Sequence, residues 1–360
     1  IMVTKYKFFH LKFLYIFFVF LSLTIFFFST VKVHGKAFDV DNIEISQPFE
    51  INFNKNEVIY SGFKKAFLEL ISLIVDSSDA KKIDKIKLNE IKGMVETFSI
   101  KEEKFIDEIY YVNLGVSFSK KKVFSYLEKK NIFPSMPVKK KILFIPIIID
   151  ENKKDLLIFS RNKIFLNWNN FSESFHLIEY ILPTEDLEDL NLIKKNYENI
   201  EKYNFKEISL KYDLKDSIIA LIFKNDKEIR ILSRISILNN TVLKNQTFSD
   251  IYLSDEKQVE KIINNLKIVY EDYWKNLNLI NTSIRLALNV KINSSDDAKI
   301  SRFEKTLQEK DLIYDYYISK FNKNFIYYQI IFNGTPKNFL ETMSENNHNF
   351  NTQNKVWILR

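Results

Sequence analysis

The chain has 360 residues, 46% hydrophobic and 28% charged, with a net charge of +7. That composition fills real cores in two or three domains and excludes a disordered polymer. Cysteine is absent, which excludes disulfides, thiolate chemistry, iron–sulfur centres and a lipidated cysteine.

Residues 13–28 read FLYIFFVFLSLTIFFF and carry no charge, behind Lys5, Lys7 and Lys12. A basic start, an apolar run and a short polar exit near Gly35 and Ala37 predict a secretory signal over 1–35. The run is shorter than the ~20 residues of a spanning helix, which favours cleavage over a retained N-terminal anchor. The segment holds four lysines and no acid, so its removal would leave a chain of about +3. That is a poor footprint for nucleic acid, and no nucleic-acid partner is expected. The glycines Gly35, Gly62, Gly93, Gly115 and Gly334 stand far apart. No phosphate-cradling loop fits that spacing, and no cofactor is expected.

Strand character appears over 38–54, interrupted by Pro48. A helix follows over 56–76, with Ile59, Phe63, Ala66, Phe67, Leu70 and Ile74 on one stripe. A shorter helix is predicted over 88–98, with Gly93 as its weak point. Val112, Leu114, Val116 and Phe118 alternate with polar residues along a half-buried strand. Ser119 is placed to cap a helix over 120–130. These elements predict a first α+β domain, 36–138.

A second domain, 139–278, opens with the apolar run 141–150, the pattern of a strand buried on both faces. Pro146 cannot donate to a ladder and predicts an edge or bulge there. Strands at 156–159 and 177–182 follow, then a helix with Thr184 as its cap and acids at its positive end. A helix over 205–212 precedes an antiparallel meander, 217–223, 229–238 and 242–248. The helix over 254–276 has the broadest apolar face of the chain. The third domain, 279–360, predicts a ferredoxin-like βαββαβ order. In it Ser294 and Asp297 would form a capping box, and Thr335-Pro336 would open the last helix. The fold class is therefore mixed α+β in several domains.

Few residues suggest chemistry. The chain holds four histidines, His10, His34, His176 and His348, and none is paired with another at metal-ligand spacing. His176 with Ser172 or Ser174 is a thin serine–histidine candidate. Glu185, Asp186, Glu188 and Asp189 form the densest acid group; they suit an acid–base pair or a cation, but acids in a first helical turn are stabilised there without function. Asp296-Asp297 has the same explanation. The lysine runs 120–122 and 139–141 read as solvated flanks. Along 325–332 the aromatic alternation leaves Phe325, Tyr327 and Gln329 on a face that water can reach. Such rings suit base stacking in RNA-recognition modules, but the expected use is packing. No catalytic, cofactor-binding or metal-ligating residue is assigned.

The run 116–127, VSFSKKKVFSYL, with Pro137 and Ile142-Leu-Phe-Ile-Pro146, resembles the bacterial domain-of-unknown-function 2066 family. So do Leu182-Pro183 with Asp186 and Asp189, and the segment 284–359. The resemblance implies an exported protein of the Gram-negative envelope with no assigned activity, and it carries over no catalytic residue. The first domain is also similar, at the level of fold, to small α+β modules of envelope assembly proteins. The expectation is a periplasmic binding or scaffold protein with an envelope partner. A carboxylate-dependent hydrolase and a lipid or small-molecule carrier are the alternatives.

Overall fold

The computed structural model describes residues 38–170, 176–226, 228–282 and 284–360. The predicted signal or anchor and Ser172 and Ser174 lie outside them. Residues 37–360 form one compact unit built on three sheets, an α+β fold.

The first sheet has the order β1–β3–β2, all antiparallel, from β1 (Asp39–Pro48), β2 (Val95–Ile106) and β3 (Ile109–Phe118). Helix α1 (Lys55–Ile74) lies on it, capped by Asn54. Its predicted stripe, with Gly62 added, faces the sheet: a Cβ at Gly62 would press on Leu114 Cδ1, so a larger residue there would make the Leu114 side chain shift. Asp76 caps α2 (Ser77–Ala80). Helix α3 (Leu88–Met94) is shorter than predicted, and β2 takes over at Val95. The sequence did not show β2 because it is an edge strand exposed along nearly its whole length, so no burial imposes alternation. Helix α4 (Lys120–Lys129) follows β3; Ser119 precedes it but its hydroxyl makes no capping bond.

The middle sheet shows how the chain tolerates Pro146. β4 (Lys140–Asp150) is flanked on one side by β7 (Ser217–Lys224), parallel over 143–150. On its other side β6 (Ile178–Ile181) pairs with 140–143 and β5 (Asp155–Leu157) with 148–150. Pro146 falls in the gap between those partners, where no ladder needs its missing N–H. Its carbonyl accepts a 3.0 Å hydrogen bond from Asn162 Nδ2, and Asn162 Oδ1 caps α5 (Lys163–Asn167) through the amides of Ile164 and Phe165. β4 is buried on both faces as its apolar run predicts. Ile142, Phe144 and Ile148 enter one core, with Trp168 stacked 3.8 Å from Phe144. Leu143, Ile145, Ile147 and Ile149 enter another. Strands β8 (Glu228–Ile237) and β9 (Asn240–Ser249) complete the predicted meander. Helix α6 (Leu187–Lys195) is capped by Asp186 rather than Thr184, whose hydroxyl instead meets the Tyr212 hydroxyl. Helix α7 (Lys206–Leu210) is the short predicted one.

Helix α8 (Glu256–Leu277) covers one face of this sheet and clasps the first unit. Asp272 accepts from the backbone and hydroxyl of Ser77, and Lys275 Nζ donates to the Val75 carbonyl at 3.0 Å. Trp274 Nε1 donates to the Val138 carbonyl.

The last sheet contains β10 (Arg285–Asn293), β11 (Ile313–Phe321), β12 (Phe325–Asn333), β13 (Phe350–Asn351) and β14 (Val356–Leu359), in the order β11–β12–β10–β14–β13. Helices α9 (Asp297–Glu309) and α10 (Pro336–Ser344) contribute Phe303, Leu307, Phe339 and Met343 to its core. This corrects the predicted βαββαβ order by one strand. A simple crossover from β12 would return a last strand antiparallel to β10. Here the two-residue β13 is inserted, so β14 turns back and pairs parallel with β10. The cap of α9 is Asp296, accepting from Lys299 N; Ser294 binds the Lys323 carbonyl instead. Thr335 caps α10 as predicted.

Candidate binding surface

The candidate catalytic groups resolve into structural roles. Asp186 and Asp189 both receive Lys211 Nζ, at 2.9 and 2.6 Å, and Asp189 is buried. Lys211 holds the Asp186 carboxyl below the usual carboxylate range, helped by the Glu188 amide. Glu185 accepts from the Ser160 hydroxyl, and Glu188 projects into water. The acids therefore do not converge on a pocket; their lysine already occupies the place a cation would take. His176 lies 3.7 Å from Glu271 Oε1. Burial, reinforced by Lys267 and Lys275, depresses its pKa to about 4. Glu271 spends its carboxylate on the backbone amides of Leu177 and Ile178, fixing the start of β6. His348 is buried against Phe303, with Nε2 2.8 Å from the Thr306 hydroxyl. Among the described residues, no three histidine or acid side chains are grouped to hold a metal ion.

The lysine run 120–122 is likewise committed. Lys120 Nζ donates to the Lys310 carbonyl, Lys121 pairs with Asp315 at 2.5 Å, and Lys122 donates to the Gly93 carbonyl. Lys120 is held at a pKa of about 8 by burial. With Arg285–Glu128, these contacts join α4 to the last sheet. An open cleft of about 880 Å³ beside them is lined by Lys129, Lys130, Tyr126 and Tyr314 among others.

One exposed surface among the described residues lies on the β11–β12 hairpin. On β12, Phe325, Tyr327 and Gln329 are half-buried and alternate with Ile326, Tyr328 and Ile330, of which Tyr328 and Ile330 are buried. They share the sheet face opposite the helical core, next to Asn289 and Lys291 of β10 by register. Lys291 Nζ lies 4.5 Å above the Phe325 ring and Lys320 Nζ 5.5 Å from the centre of Tyr327. Tyr317 donates to Gln329 Oε1 at 2.6 Å. The distal half of β11 runs past the helices, leaving Tyr317 49%, Ile318 53% and Phe321 70% exposed beside the 322–324 turn. By register Tyr317 and Lys320 share the face of Phe325 and Tyr327, whereas Ile318 and Phe321 lie on the other face, beside Tyr328 and Ile326. The first face is an aromatic platform with ammonium groups already seated at its rings, an arrangement suited to cation–π and apolar contact with a protein surface. Sequence alternation pointed to Phe325, Tyr327 and Gln329. It missed Lys291, Lys320 and Phe321, although Phe321 directly before an Asn-Lys-Asn turn was a usable signal for an exposed ring.

A second exposed apolar group closes the far end of the first sheet. Phe49, Ile51, Phe105 and Ile106 lie at the β1–α1 loop and the β2–β3 turn, with Ile51 fully exposed. Phe49 packs edge-on to Phe105, their centroids 5.0 Å apart. Asp107 and Glu108, both at positive φ, form the turn itself.

No family model and no curated protein matches the chain. A solved structure described as "Crystal structure of uncharacterized protein" aligns with 39% of this chain and 91% of its own, at 6% identity and a TM-score of 0.17. A likeness at that score carries no argument about fold or function.

Proposed function

We propose that this is an exported binding or scaffold protein of the cell envelope, acting without catalysis and engaging a protein partner through the β11–β12 hairpin. The observation that supports it is the hairpin's uncovered apolar surface: Tyr317 with half-buried Phe325 and Tyr327 beside Lys291 and Lys320 on one face, and exposed Ile318 and Phe321 on the other. A clustered apolar surface of this kind marks an interaction site more often than isolated exposed residues do. Export is the contribution of the predicted signal at 13–28 and of the resemblance to the domain-of-unknown-function 2066 family. No helix among the described residues is long and apolar enough to cross a membrane, so a tether would have to come from the N-terminal run.

The hydrolase reading has less support, because the acids it needs are bound to Lys211. Mild crosslinking and co-purification from the native envelope tests the binding reading. The wild-type chain should capture a defined envelope protein, and Tyr327→Ala with Phe321→Ser should lose it by tenfold or more. Equal capture by both chains, or none by either, would sink the reading.

A further inference from the structure

The two exposed apolar ends of the molecule carry opposite charge. The first-sheet end, over residues 47–57 and 102–110, holds Glu50, Glu57, Glu102, Glu103, Asp107 and Glu108 against two lysines. Those lysines are already engaged, Lys55 with Glu103 and Lys104 with Glu102. Glu50, Asp107 and Glu108 stand exposed around Phe49, Ile51, Phe105 and Ile106. At the hairpin end, Lys291 and Lys320 flank Phe325 and Tyr327 on one face, Lys323 stands exposed in the turn, and Ile318 and Phe321 are exposed on the other face. Of the acids near that end in sequence, Asp315 is held by Lys121 and Asp296 by Lys299, and Asp297 sits exposed in the first turn of α9.

Strand direction places each end away from the contact that joins the two units. β3 runs from the acidic end at Ile109 to Phe118, and α4 beyond it touches the start of β11 through Lys121 and Asp315. β11 then runs from that contact out to Phe321. The acidic end is therefore a ten-residue strand from the contact, about 30 Å, and Phe321 is six residues beyond Asp315, about 20 Å.

We infer that the acidic apolar end of one copy docks on the basic aromatic hairpin of a second copy. This names the partner within the binding reading above and rests on it. An aliphatic and aromatic patch ringed by carboxylates fits one of the same size ringed by ammonium groups, and like ends repel. The contact is heterologous, head to tail. It therefore leaves a free end of each kind and propagates into a ring or a filament unless the rotation closes it. A protein that assembles on itself in this way acts as a scaffold without a catalytic group.

The absence of cysteine from the chain makes the test direct. Full-length chains, purified in mild detergent, carry Asn52→Cys or Asn324→Cys; both positions are exposed beside the two patches and outside them, so folding and docking are undisturbed. A short bismaleimide should join the two chains when mixed, far better than either with itself. Yield should fall several-fold between 50 and 500 mM salt, as exposed charge pairs are screened. Glu50→Lys with Glu108→Lys on the first chain should abolish the product, and Lys320→Glu with Lys323→Glu on the second should restore it. Yield no higher than with a control cysteine at exposed Leu210, or 52–52 and 324–324 products of equal strength, would overturn the inference. If Asn324→Cys instead couples to another envelope protein in native membranes, with no 52–324 product from purified chains, self-docking fails while the binding reading stands. If it couples to nothing in either setting, both fail.

Discussion

Asn162 offers the sharpest test of how the middle sheet is held together. Its side chain is fully buried and makes three hydrogen bonds, donating to the Pro146 carbonyl and accepting from the amides of Ile164 and Phe165. Asn162→Ala removes a helix cap, at about 1 kcal/mol. It also strands a buried carbonyl, at about 1–3 kcal/mol. Together these predict a loss of about 2–4 kcal/mol. Asn162→Asp separates the contributions. The carboxylate keeps both capping acceptors but replaces the donor with a negative charge facing the Pro146 oxygen. Burial and that oxygen raise its pKa in the folded state, so the penalty is full above the folded pKa and shrinks as pH falls toward the unfolded value. A protonated aspartate donates to Pro146 again. Urea denaturation at pH 7.5 and pH 4.5, followed by far-ultraviolet circular dichroism and tryptophan fluorescence, should place Asn162→Asp below Asn162→Ala at pH 7.5. Relative to wild type, Asn162→Asp should recover at pH 4.5, and Asn162→Ala should not. An Asn162→Ala protein within 0.5 kcal/mol of wild type, or an aspartate variant with no pH dependence, would refute the account of Pro146.

Two further expectations follow from buried titratable groups. Burial raises the Glu69 pKa to about 7, against the opposing pull of Lys65, so charging it costs stability progressively as pH rises from about 4.5 through 7. Glu69→Gln should therefore stabilise by on the order of 1–2 kcal/mol at pH 8 and change nothing at pH 4; a variant no more stable than wild type at pH 8 contradicts this. His176 is held neutral down to a pKa of about 4, while the unfolded chain takes up a proton near 6.5. Stability is thus lost between pH 6.5 and 4, and His176→Gln should flatten that limb by about 1–3 kcal/mol. Parallel acid limbs in the two proteins would show that His176 does not contribute.

Sequence alone determined the elements whose burial imposes a period. The stripe of α1, the alternation of β3 and the unbroken apolar run of β4 are each the record of one face, one side or both sides losing water. At the hairpin, Phe325, Tyr327 and Gln329 were legible for the same reason, since they alternate with a strand face that carries buried Tyr328 and Ile330. Where burial imposes nothing, the sequence was silent or misleading. β2 lies exposed at an edge, and its first residues continued a helical pattern that Val95 ends. Thr184 and Ser294 looked like caps because their residue types suit the role, but Asp186 and Asp296 stand nearer the first free amides. Only the tertiary structure decided that Pro146 falls in a gap between two partner strands, that Lys211 neutralises the acids of α6, and that β13 reverses the last strand. Those outcomes depend on which distant segment arrives beside each residue. For the same reason, the sequence held both apolar ends and their charges in plain view. Their isolation from the rest of the surface emerged only when the chain had folded and left them uncovered.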